Sequence, residues 1–170
     1  MTEATKFGLQ PVLSFEEMLA ADAYEVERWH KHFQAHPALF ELPTQIAGAG
    51  TLGGLLLHIA GVQLRYSYWL LDWPLPNLDK IAATIDGVFA AMQEARSNLR
   101  LFLTRATPEM LAQILEFRRD DFHLRCTRRK AFAQAILHGD RHWAQLAVAV
   151  REAGHPTDWI HDFVFSPAME

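Results

Sequence analysis

At 170 residues, half of them apolar and 21% charged, the chain reads as a single domain over residues 1–170 with a substantial core. A formal net charge of −4 and a pI near 6.1 lack the basic excess that nucleic acid or an anionic membrane surface selects, so neither is expected as a partner. No apolar run approaches the ~20 residues that span a bilayer, and the start lacks the basic-then-apolar order of a signal peptide, which makes a cytoplasmic location the expectation. Cys126 is the only cysteine, which rules out an internal disulfide and any Cys-rich zinc cluster, so a metal would need nitrogen and oxygen ligands.

Residues 1–13 show no period and read as a tail. Ser14 and Glu17 then form an S-x-x-E capping box that opens a helix running to about His36, where Pro37 stops it. Its apolar stripe is Phe15, Leu19, Val26, Trp29 and Phe33. His30 lies beside that stripe, in register with Leu19, Ala23, Val26 and Phe33, and is a pocket candidate, although a hydrogen-bonded core or surface histidine is the plainer reading. His32 and His36 lie off the stripe near the helix C-terminus, where the dipole favours a partly protonated imidazole without any ligand role.

The letters GAGTLG, 48–53, match G-x-G-x-x-G, and Asp72 follows about twenty residues later. A dinucleotide site needs a strand on each side, whereas ELPTQIA and DWPLPNL supply proline and polar residues in place of β-branched runs. The glycines instead read as a loop leading into a second helix, Thr51 to about Leu71, with Leu52, Leu55, Leu56, Ile59, Val62, Tyr66, Trp69 and Leu70 apolar. His58 lies within it between Gly54 and Gly61, and each mid-helix glycine costs about 1 kcal/mol relative to alanine. Either a neighbouring helix packs close there or space is kept clear around the imidazole. Arg65 and Trp69 fall on the face of His58 at i+7 and i+11, Arg65 as an anion clamp and Trp69 as a pocket wall. A solvated arginine and an aromatic core residue are the plainer alternatives.

After the proline-rich link 73–77, the pattern predicts a third helix from Asp79 to Arg105, with Ile81, Ile85, Val88, Phe89, Met92, Leu99, Phe102 and Leu103 inward. Thr107 and Pro108 open a new turn, and two alternating runs, 113–118 and 122–127, predict a short β-hairpin between the third helix and the last. Cys126 reads as a small buried residue of its second strand. Thr127 caps the last helix, whose first turn is basic against the dipole, and Gly154 with Pro156 closes it. Residues 156–170 form an apolar tail expected to pack back on the helices.

Between Ala131 and Val150 the last helix carries only Asp140 and Arg141 as charges, so it reads as buried nearly all round. His138 and His142 project from one face, about 6 Å apart along the axis, and two imidazoles held that way can grip one metal ion. Nine histidines in 170 positions give about half of one such pair by chance, so the aliphatic setting is what distinguishes this one. Polar rings placed there need hydrogen bonds or a metal. Gln145, at i+3 from His142, is positioned to support that ring, whereas Asp140 points off the ligand face as a surface charge. The excess apolar surface of this helix also suggests a symmetric homodimer.

Four long helices predict an all-α four-helix bundle. The run LLLHIAGVQLRYSYWL, then HGDRHWAQLAVAVREAGHP with its H-x-x-x-H, its glutamine and its closing Gly-x-Pro, then an aromatic Asp-Phe tail, together resemble the DinB/YfiT-like metalloenzymes over residues 14–165. The resemblance implies a bundle of unusual connectivity, often dimeric, with His58, His138 and His142 as the ligands of a divalent metal. Many relatives carry an H-R-G-Q type run after the last histidine, where this chain has His142, Trp143, Ala144 and Gln145.

Three neutral imidazoles leave a divalent metal its full charge and an open position, as in catalytic sites. Such a metal lowers the pKa of bound water or holds a thiol as thiolate. The thiol co-substrates of characterised relatives favour a thiol-dependent S-transferase or isomerase acting on a small-molecule substrate. A metal-assisted hydrolase is the first alternative, and a non-catalytic bundle, its metal tying the second helix to the last or a ligand bound without reaction, is the second. Zn, Ni, Fe and Mn all suit imidazole.

Overall fold

A computed structural model describes residues 13–119 and 122–167. Its regular elements are helices α1 (Phe15–Ala35), α2 (Leu52–Leu70), α3 (Ile85–Arg105), α4 (Pro108–Ala112) and α5 (Arg128–Glu152), with strands β1 (Pro43–Thr44), β2 (Gly50–Thr51), β3 (Ile114–Arg119) and β4 (Phe122–Thr127). The molecule is thus mostly helical, with two small antiparallel hairpins. The expected N-terminal tail lies outside the described residues except for Leu13.

Hydroxyl side chains set where the long helices begin, because the first turn of a helix has N–H groups with no partner inside it. At α1 the Glu17 N–H donates to Ser14 Oγ at 3.1 Å and the Ser14 N–H donates back to the Glu17 carboxylate at 2.6 Å, the reciprocal box that the sequence predicts. Thr51, Thr84 and Thr127 accept the N–H groups of Gly54, Gly87 and Lys130 at the starts of α2, α3 and α5, without the reciprocal bond. Thr84 corrects the predicted start at Asp79. Asn77 accepts from the Asp79 N–H and draws Leu78–Lys80 into a separate 3-10 turn, and the chain becomes α-helical only after Thr84. The predicted hairpin forms, with Ile114 opposite Thr127 and Arg119 opposite Phe122.

The extensive helix pairings are α2 with α3, α2 with α5, α1 with α3 and α1 with α5. The consecutive helices α1 and α2 therefore share the same two neighbours. One apolar cluster includes Trp29, Phe33, Leu56, Met92 and Trp143, and a second includes Leu19, Leu70, Leu99, Phe102 and Phe132. Trp29 and Trp143 stack with ring centres 6.0 Å apart. Beside them Asp22 of α1 takes Arg96 of α3 at 2.9 Å and the Gln63 amide of α2 at 3.1 Å, a buried charge made tolerable by its partners. Gly139 lets α5 approach this group, since a Cβ there would stand 3.1 Å from Gln63 Nε2 and 3.4 Å from Asp22 Oδ1.

Two expectations are corrected by packing. α5 is not buried all round: Leu137 and Val148 are 52% and 42% exposed, in a face shared with Gln134, Asp140, Arg141, Ala144 and Gln145. Its low charge reflects alanine content, which favours helix formation without requiring burial. His32, expected at a solvated helix end, is buried because the chain after α5 folds back over α1. There Trp159 Nε1 donates to Glu25 at 3.1 Å, His161 pairs with the same carboxylate, and the Trp159 ring stands 5.8 Å from that of His32. Ile160, Val164 and Phe165 of this tail remain exposed.

Candidate metal centre

The packing of α2 along α5 brings His58 against His138 and His142. One ring nitrogen from each lies within 4.8 Å of the others, and His58 Nε2 and His138 Nε2 are 3.2 Å apart. Tetrahedral Zn–N bonds of about 2.0–2.1 Å separate ligand nitrogens by about 3.3 Å, so the His58–His138 pair already stands at that spacing within a set that could hold one ion. His138 and His142 are buried, while His58 sits on the exposed face of α2 and opens the group to solvent.

The ring of His142 is oriented by a hydrogen bond. Its Nδ1 lies 2.7 Å from Gln145 Oε1, which can only accept, so Nδ1 carries the proton and Nε2 keeps its lone pair, which the Arg141 guanidinium faces at 3.3 Å. His138 Nδ1 is buried with no partner among the described residues. Burial lowers the pKa of all three rings. His138 is pushed down to about 4 by burial and by the neighbouring His142 and His58 rings. At neutral pH the three are therefore uncharged donors, the form a metal requires.

The two glycines flanking His58 have different causes. A Cβ on Gly54 would stand 2.1 Å from the Ala49 carbonyl oxygen, so the turn before α2 requires glycine there. A Cβ on Gly61 would meet only Leu78 Cδ1 at 3.7 Å, an ordinary contact. Gly61 lines a cleft of about 440 Å³ that also includes His58, Val62, Arg65 and Leu78, so its missing side chain leaves room beside the imidazole.

Of the pocket candidates, Arg65 shares the cleft with His58 and Gln145 holds His142. Trp69 does neither; it packs edge-on against Phe117 of β3 with ring centres 4.6 Å apart and so supports the hairpin. His30 is displaced to the surface between α1 and α3, stacked on Phe89 and 3.1 Å from Asp86 Oδ1. The apolar register beside it is filled by Phe33 and Val26 instead. Asp140 lines a separate cavity of about 440 Å³ with Ile136, Trp143 and the tail, remote from the three ligand faces. Facing that cavity, its carboxyl is raised to about 6 by desolvation there and by the charges of Asp22 and Glu25. Cys126 is half-buried, which pushes its thiol pKa up and away from nucleophilic use.

Two arginines escape the sequence patterns. Arg141 Nη2 stands 3.3 Å from His142 Nε2, signalled only by adjacency in the chain. Arg128 explains the basic start of α5: its guanidinium donates to the Leu70 carbonyl at 2.6 Å and to both Asp72 oxygens at 2.7 and 2.8 Å. This satisfies the C-terminus of α2 and holds Asp72, at φ 56°, in the left-handed conformation. The end of the histidine-bearing helix α2 is thereby tied to the start of the other, α5.

Among the described residues no helix is long and apolar enough to cross a membrane. No protein-family model and no curated protein matches the chain.

Proposed function

We propose that the chain is a divalent-metal-dependent enzyme of the DinB/YfiT-like kind, a four-helix bundle whose ligands are His58, His138 and His142. The observation that carries this reading is the convergence of three neutral ring nitrogens from α2 and α5 beside an open cleft. A closed structural site would have a fourth protein ligand and no opening. Zn, Ni, Fe or Mn bound there would supply a positive centre that favours the thiolate form of a small thiol, the basis of S-transfer or isomerisation. Gln145 fixes the tautomer of His142, Gly61 keeps the approach to His58 clear, and Leu57, Val62, Leu78 and Ile81 give the cleft apolar side chains against which the body of a substrate can pack. Hydrolysis is the second reading, supported by the solvent-facing position of His58.

Metal content by elemental mass spectrometry, on protein purified without a nickel column, tests the proposal. About one ion per chain is expected in the wild type, lost in His58→Ala and His142→Ala with the helical circular-dichroism signal retained. Wild-type protein that stays metal-free after reconstitution with each of the four metals overturns it. We also propose a homodimer; a monomer by light scattering at micromolar concentration removes that idea.

A further inference from the structure

Two cationic side chains stand beside the three rings: Arg65 lines the cleft with His58, and Arg141 Nη2 lies 3.3 Å from His142 Nε2. The buried arginines elsewhere are paired, Arg96 with Asp22 and Arg128 with Asp72. Arg65 and Arg141 have no carboxylate partner among the described residues. The site thus combines three neutral ligands and two unpaired guanidiniums in a place meant for a dication, with Asp79 as the acidic group lining the cleft. Bringing a dication beside two cations is unfavourable unless an anion joins them, because like charges at such distances repel by about a kcal/mol or more even at a surface. What completes the charge balance must come with the ligand.

We infer that the substrate of this site is a small organic anion whose carboxylate binds between the three-histidine centre and the guanidiniums of Arg65 and Arg141, with its apolar body along Val62, Leu78 and Ile81. A guanidinium presents paired N–H donors that match a carboxylate in one plane, and Arg141 already reaches the ligand nitrogen of His142. Beside its polar His58, Arg65 and Asp79, the cleft offers the apolar side chains of Leu57, Val62, Leu78 and Ile81, on which a short hydrocarbon body can pack. Asp79 on the rim and the net charge of −4 disfavour a polyanion. This inference rests on the metal reading above and adds the class of molecule the site takes.

The test uses the full chain loaded with Co(II), whose visible spectrum reports both that the ion is bound and that its surroundings change. The probes are phenylacetate, phenyl phosphate and the neutral phenylacetamide. Phenylacetate is expected to shift the spectrum saturably and phenylacetamide is not. Arg65→Gln and Arg141→Gln are each expected to weaken phenylacetate about tenfold or more, each titrated against its own anion-free spectrum. Arg65→Lys, which keeps the charge but not the planar fork, recovers part of the loss. Equal phenylacetate affinity in wild type and both Gln variants overturns the inference, since the metal alone would then attract the anion. Phenyl phosphate binding more than tenfold tighter than phenylacetate overturns the carboxylate assignment. A wild type that gives no Co(II) spectrum removes the metal reading and this inference with it, whereas a normal spectrum blind to every anion removes the inference alone.

Discussion

His138 and His142 on α5, and His32 and His36 on α1, are both histidine pairs four residues apart, and each pair meets another histidine from a distant part of the chain. In the first case His58 completes a set of nitrogens within 4.8 Å of one another. In the second, His36 lies against His155 with ring centres 4.6 Å apart, but His32 faces Trp29, Phe33 and Trp159 edge-on. His32 Nε2 is buried without a partner among the described residues, and the ring bonds the His155 main chain. The same spacing therefore gives a convergent donor set beside the cleft that Gly61 keeps open, and an aromatic clasp for the tail where tryptophans pack on it. Spacing fixes only that two rings share a helix face; the neighbours decide whether their lone pairs are free to meet.

The sharpest way to break this comparison is to remove one ring from each pair. His138→Ala is expected to abolish metal loading, from about one ion per chain to none by elemental analysis, and His36→Ala to leave it unchanged. Metal lost equally in both variants would mean that the second group also contributes ligands.

Acid distinguishes the groups less sharply, because burial lowers the pKa of His32 as it does those of the three site histidines. For His138 the sign follows from its value of about 4, below the ordinary 6.5. As pH falls through 6.5 the unfolded chain takes a proton that the folded chain refuses until about pH 4, so stability present above 6.5 is lost across that window. The loss from this one group is about 2–3 kcal/mol. Asp140, raised to about 6, works in the opposite direction. Urea unfolding of the metal-free protein at pH 7 and pH 4.5, wild type against His138→Gln, isolates the contribution; a variant with the wild-type pH slope would show that His138 titrates normally.

Gln145 has no counterpart at the second pair, and Gln145→Leu is expected to lower metal affinity about ten- to a hundredfold by chelator competition. An unchanged affinity would mean that the 2.7 Å bond to His142 orders the apo ring without mattering to the ion.

What the sequence displays follows a physical divide. Ser14 with Glu17, Thr127, and His142 with Gln145 act over three residues of one chain segment, so their spacing already contains the interaction. The β3–β4 pairing is local in the same way. His32, His30 and Trp69 depend on what arrives from elsewhere: the tail over His32, Asp86 beside His30, and Phe117 against Trp69. Periodicity cannot weigh such partners. Arg128 is the same case in reverse, a charge that looks misplaced in its own helix and is explained only by Leu70 and Asp72, 58 and 56 residues away. Periodicity places the start of α3 too early, at Asp79, because Ile81 fits the helical register; one Asn77 side-chain bond together with the Thr84 cap sets it after Thr84.

The smallest expected effect bears on why His58 has a glycine three residues beyond it. If Gly61 served packing, Gly61→Ala would cost stability, as Gly54→Ala must when its Cβ meets a carbonyl oxygen at 2.1 Å. Leu78 Cδ1 at 3.7 Å offers no such obstacle, and alanine is the better helix residue. Gly61→Ala is therefore expected to raise stability by about 0.5–1 kcal/mol in urea unfolding while metal content stays the same. A natural helix that forgoes that gain beside an exposed metal-ligand candidate keeps the space for something that enters the cleft. A Gly61→Ala variant destabilised by more than about 1 kcal/mol would instead assign the glycine to the fold, and the cleft would lose its best sign of use.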